Sequence, residues 1–265
     1  MLGGTLLVLL AALVLTPVYL MVTLSLRRTG DDSNPFALPL DPQWSNFVDA
    51  FNNMNYLRSL GNTLILTVPT GVLTIITASL AAWAIVRLSR RWTRLAYQMF
   101  VSGLTVPVFV VLTPLYQTLQ QLHLLDTYVG LVLAYTALNL PLAVFFFAGF
   151  LRTVPVELEE AAVLDGAGTL RTYWSVVLPL LRPATLTLVI LVTLNVWNDF
   201  VLPLILLSSE QMQPLTLSVY STIGVNSLSV SQLFPTLLLS VIPLFIVFLC
   251  LQRYIVAGIA AGAGK

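Results

Sequence analysis

Charge is what this sequence has least of. Asp, Glu, Lys and Arg make up 9% of its 265 residues, against about 25% in a soluble domain that must keep its surface wet. So little charge implies a surface that mostly faces lipid. The single cysteine, Cys250, excludes an internal disulfide; within its apolar run it reads as a small packing residue. The single histidine, His123, sits in a short polar loop, where it reads as solvated, and no Cys/His cluster signals a metal site. A membrane-embedded enzyme would need a His/Asp or metal constellation, and the sequence offers none. The formal charge of +1 has no strong sign, and nothing suggests a nucleic-acid partner.

What is present is apolar. Hydrophobic residues account for 58% of the chain and the mean hydropathy is +0.93. A helix that crosses a bilayer needs roughly 20 mostly apolar residues, and runs of that size recur near 2–26, 62–86, 96–118, 128–150, 184–207 and 233–252. The expected fold is therefore all-α and polytopic, a single transmembrane domain over 1–265 with six spans. No small-x-small cleavage site follows Leu26, so the first run reads as an anchor. The spans contain Pro17, Pro69, Pro107, Pro114, Pro141, Pro203, Pro235 and Pro243, which imply static bends or hinges.

Orientation follows from Lys and Arg. With the N-terminus inside, the cytoplasmic segments hold Arg87, Arg90, Arg91, Arg94, Arg152, Arg171, Arg182, Arg253 and Lys265; the outer ones hold Arg27, Arg28 and Arg58. Nine against three places both termini in the cytoplasm. Locally, Arg27-Arg28 on the outside opposes that count. Segment 208–232 reads as a polar outer loop, with Gly224 and Asn226 as turn residues.

The most informative stretch is the cytoplasmic insertion 151–183. Pro155 suits a first helical position, and Glu157, Glu159 and Glu160 favour the positive end of a helix dipole. Gly166 and Gly168 can take positive φ and stop the helix. Thr169 can cap a second helix through about Val177, bounded by Pro179 and Pro183. The product is a helix-turn-helix outside the bilayer, where small Ala161 and Ala162 permit close approach of another surface.

Glu160-Ala161-Ala162, Asp165-Gly166, Val176 and Leu178-Pro179 together resemble the EAA loop of ABC-importer permeases, with Val176 where the family usually has Ile. Trp44-Ser45-Asn46-Phe47, Tyr56 to Thr63, Trp197-Asn198-Asp199-Phe200 (Asp for the usual Glu) and Gln252 to Gly262 extend the resemblance to nearly the whole chain. They point to the carbohydrate-uptake group, the group of the maltose transporter's smaller permease. The resemblance implies that Glu160, Ala161, Ala162, Asp165 and Gly166 form a coupling helix that docks on an ATPase subunit. It further implies a second homologous permease, two ATPase subunits that bind ATP and Mg, and an extracytoplasmic solute-binding protein. This chain would hold no cofactor, perform no covalent chemistry, and sit in the cytoplasmic membrane of a prokaryote. Its cargo would be a sugar or oligosaccharide, with glycerol phosphate or a polyol as the alternative.

Asp199 is the one acid inside a span, beside Asn195 and Asn198. A carboxylate there costs about 2.5–3.5 kcal/mol on the translocon scale, so it needs a cavity or a partner. Two readings stay open: a packing hydrogen bond, or a place in the pathway or gate. An ion-coupled carrier would need a relay of such groups. The terminal Gly262-Ala263-Gly264-Lys265 lacks the rest of a phosphate loop.

Overall fold

The computed structural model describes the backbone of residues 2–31, 34–88, 90–225 and 229–263, and the side chains of 4–31, 34–88, 90–222 and 229–249. Among these residues the secondary structure is helical, without strands. In chain order the helices are α1 (Leu2–Ser25), α2 (Ser45–Asn53), α3 (Tyr56–Arg87), α4 (Arg91–Gly103), α5 (Val108–Gln121), α6 (Tyr128–Leu151) and α7 (Glu157–Leu164). Then come α8 (Thr169–Thr172), which opens through a π-helical turn at Tyr173–Val177 into α9 (Leu178–Leu180), and α10 (Arg182–Asn198). The last are α11 (Val201–Leu206), α12 (Leu215–Val225) and α13 (Val230–Ala263).

Among the described residues, four single helices are long and apolar enough to cross a membrane: α1, α3, α6 and α13. Two bent pairs bring the number to six if each pair is one span. One is α4 with α5, bent by 109°; the other is 169–180 with α10, bent by 74°. The single run expected over 96–118 is therefore broken. Gly103 ends α4, and Pro107, extended at ψ 133, starts α5. A Cβ at Gly103 would come within 3.0 Å of the Pro141 ring on α6, so the close approach of α4 to α6 needs a glycine there.

The chain forms two compact units. The first comprises residues 1–62 and 213–246. Here α1 presents large apolar side chains outward along most of its length, as a helix against lipid does. The loop after it is held by Arg27, whose side chain donates to the carbonyls of Asn34 and Ala37 and whose residue is only 3% exposed. Asn46 donates to the carbonyls of Ser25 and Arg27 at 2.9 and 2.8 Å, and Arg28 pairs with Asp41. Arg27 and Arg28 are thus engaged in the loop's own structure, which explains why two arginines are tolerated at the end of α1. Segment 215–225 is not a polar loop but α12, with Leu215, Leu217 and Val219 buried and the Ser218 hydroxyl 2.7 Å from that of Ser59. Gly224 is helical, and Asn226 lies outside the described residues.

The second unit, 63–212 with 247–265, contains two buried clusters. One joins α3, α6, the π-turn and α10 through Ala78, Ala82, Ala143, Phe147, Ala148, Tyr173 and Leu188. The other lies toward the opposite ends of the same helices, around Leu66, Leu131, Tyr135, Val196 and Leu202. Lipid is as apolar as leucine, so burial by itself does not join helices in a bilayer; close packing does. The fully buried alanines of the first cluster fit that rule. The C-terminal stretch 252–262 is helical backbone within α13, and Cys250 and Lys265 fall outside the described side chains.

Candidate functional site

The insertion forms the expected helix-turn-helix, with differences in detail. Pro155 precedes α7, which starts at Glu157 with three acids in its first turn. The helix ends as the sequence implies. Gly166 has φ +83°, its N–H donates to the Val163 carbonyl at 3.0 Å, and the Ala167 N–H donates to the Ala162 carbonyl at 2.9 Å. These two bonds are a Schellman cap, which satisfies carbonyls that a helix end leaves open. Thr169 is not the cap of the second helix; Gly168 stands in that position and Thr169 is already helical. The second arm then widens into the π-turn at Tyr173–Val177, just before Pro179. Proline lacks the N–H that would continue the regular ladder, and a single π-turn is a common way to absorb such a break.

Glu160, Ala161, Asp165 and Gly166 are exposed on this turn, and Ala162 is half-buried. They share the face with Val163, Leu164 and Leu170, of which Leu164 is 88% exposed. A cleft of about 540 Å³ lies alongside, lined by Trp83, Arg87, Glu159, Glu160, Leu164 and Thr172 among others.

Glu159, one position before the motif, was read only as one of three acids favouring the helix dipole, and its partners were not foreseen. It is the only buried side chain of α7, at 8% exposure. Its Oε1 accepts from Arg87 Nε and its Oε2 from Trp83 Nε1, both at 2.8 Å. Arg87 also donates to the Val154 carbonyl at 3.1 Å. The Tyr173 ring lies 5.6 Å from that of Trp83, and its hydroxyl is 2.7 Å from the Ser79 hydroxyl. The available signal was a charge at the end of a span, Arg87, facing three acids with no assigned partner.

The polar cluster lies elsewhere in the same unit. Asp199 is half-buried at a break between α10 and α11, not inside a continuous helix. It accepts from the Tyr135 hydroxyl at 2.8 Å and from the N–H groups of Val201 and Leu202, both at 3.2 Å. It is therefore the cap of α11 as well as a tie to α6. Asn139 donates to Asn195 at 3.4 Å, while Asn195 and Asn198 are both exposed. Among the described residues no group of His, Cys, Asp and Glu could hold a metal ion.

Four long apolar helices and two bent pairs that pass the same test together define a polytopic membrane protein. Comparison with known proteins gives the family. Residues 60–261 match the binding-protein-dependent transport system inner membrane component family, and the chain belongs to it. It is 33% identical to the melibiose/raffinose/stachyose import permease protein MelC of Bacillus subtilis, over 94% of this chain and 91% of that one. It is 32% identical to the diacetylchitobiose uptake system permease protein NgcG of Streptomyces coelicolor, over 97% and 86%. A crystal structure of a bacterial ABC transporter involved in the import of the acidic polysaccharide alginate shares the fold, with a TM-score of 0.80 at 24% identity, covering 96% of this chain and 95% of that chain.

Proposed function

We propose that this chain is the permease of an ATP-driven importer for a sugar or oligosaccharide, driven through the turn between α7 and α8. The observation that carries the reading is the character of that turn. A helix that served only to cover its own fold would turn its apolar residues inward. Here Val163, Leu164 and Leu170 point outward, while the buried position goes to a carboxylate. Burying a leucine is worth about 1.5–3 kcal/mol, so this face has a strong tendency to acquire a partner. Ala161 and Ala162 let a second surface come close, Glu160 offers it an anion, and Asp165 and Gly166 shape the turn.

The partner is a separate ATPase subunit, two of which bind ATP and Mg and carry out hydrolysis. This chain performs no covalent chemistry. ATP binding closes the ATPase pair, and the turn passes that motion to the spans as a shift between two arrangements. A second homologous permease completes the pathway, and an extracytoplasmic solute-binding protein delivers the cargo. The turn and both termini face the cytoplasm, and residues 1–265 act as one transmembrane domain. Asn195 and Asn198, exposed beside the α10–α11 break, are the pathway candidates, with Asp199 holding the break in place.

Sugar as cargo is supported by the names of the relatives. The test is reconstitution of the four-subunit importer with its binding protein in liposomes, alongside calorimetry of that binding protein. Sugar binding with ATP-dependent uptake is expected. Binding of polyol phosphates, amino acids or peptides alone overturns the cargo, and uptake without ATP overturns the class.

A further inference from the structure

We infer that Glu159, Arg87 and Trp83 form the mechanical link through which α7 moves α3, so that Glu159 is a positioning residue for transport and not a contact with the partner. The inference rests on the proposed coupling role of the turn.

An eight-residue helix has little stability of its own, because isolated helices shorter than about 12–15 residues are marginal in water. Its orientation must therefore be set by its attachments. The only buried side chain of α7 is Glu159, and both of its oxygens are held. Each donor comes from α3. Ser79, Trp83 and Arg87 are spaced four apart, which places them along one face of that helix. Arg87 grips Glu159 on the first arm of the turn, and Ser79 grips Tyr173 on the second. Trp83 touches both, as donor to Glu159 and as ring neighbour of Tyr173. Arg87 also fixes the Val154 carbonyl at the lead-in to α7. One face of one long helix thus clamps the helix-turn-helix at three places.

Hydrophobic packing lets surfaces slide, whereas a carboxylate held by two fixed donors has one good geometry. Displacement of α7 by a docked partner is therefore delivered to α3 as a push or pull along the Glu159–Arg87 pair. The exposed Glu160 is left for the partner itself.

The experiment uses the whole importer in liposomes and reads three quantities: retention of the ATPase subunits on purification, binding-protein-stimulated ATP hydrolysis, and cargo moved per ATP. Glu159→Ala and Arg87→Met are each expected to retain the ATPase subunits but to lower cargo per ATP by roughly tenfold or more. The double variant is expected to lose no more than the worse single, and Arg87→Lys, which keeps a cation beside Glu159, to lose less than Arg87→Met. Additive losses, unchanged cargo per ATP, Arg87→Lys as impaired as Arg87→Met, or loss of the ATPase subunits in both Glu159→Ala and Arg87→Met would each overturn the link. Failure of the coupling reading looks different: the wild-type chain would then not retain an ATPase subunit at all.

Discussion

Replacing Gly166 separates the turn's geometry from its chemistry. At φ +83° an L side chain is disfavoured, and a Cβ built there meets nothing within 4 Å. The cost of a substitution is therefore purely in the backbone. Left-handed geometry costs about 1–2 kcal/mol for alanine, and a β-branched residue is worse. An increase of one to two kcal/mol raises the opening equilibrium of the cap by a factor of about 5–30. The amide that reports it is that of Ala167, bonded to Ala162. Hydrogen exchange on the assembled importer should show protection at residues 165–167 falling by roughly that factor in Gly166→Ala. Gly166→Val should lose more, and Gly166→Asn much less, because asparagine tolerates this conformation. Transport and retention of the ATPase subunit should fall in the same order, with the chain still inserted. Protection and transport unchanged in Gly166→Val would refute the reasoning.

Glu160→Lys should weaken ATPase retention and transport without altering exchange in α7; normal transport would count against a partner contact. Asp199→Leu removes the cap of α11 and the Tyr135 bond, so thermal stability should fall by about 1–3 kcal/mol; an unchanged melting curve with lost transport would favour the gate over packing. Asp126 lies in the loop before α6, where the Ser209 hydroxyl and N–H, and then the Ser208 N–H, hold its carboxyl below the ordinary value of 3.8. Its contribution is in full above that value and is lost as pH falls through the lowered one, so Asp126→Asn should weaken this junction at pH 7 and matter less in strong acid, as melting at the two pH values will show. Cysteines at Arg91 and Asp31 should label from opposite sides of the membrane, and labelling of both from outside would contradict the orientation.

The spans were legible because a bilayer demands long uncharged runs, and composition alone reveals them. The break within the 96–118 run was not. The 109° bend between α4 and α5 lies in an apolar run, and the packing that needs a glycine at 103, against Pro141 of α6, joins positions far apart in sequence. The Gly166 turn could be read locally because only glycine accepts that φ freely. The rotation of α7 could not, because eight residues with acids on several sides carry no clear apolar stripe. Glu160 was legible from its motif, while Glu159 gains its meaning from Arg87, 72 positions earlier. Asp199 was read as an acid within a span, but the helix ends there, and its carboxylate serves the next one. Segment 208–232 looked polar by its Ser and Gln content, and the buried leucines of α12 were outweighed in that average.

The central claim is that an ATPase subunit docks on the turn between α7 and α8. Leu164, 88% exposed at the end of α7, offers the most direct measurement: a cysteine placed there, with a short bifunctional thiol reagent applied to native membranes. The expected result is a cross-link to the ATPase subunit, whose yield changes when ATP is bound. A Leu164→Cys thiol that reacts freely with a water-soluble maleimide in the assembled importer, and forms no cross-link in any nucleotide state, would contradict the claim.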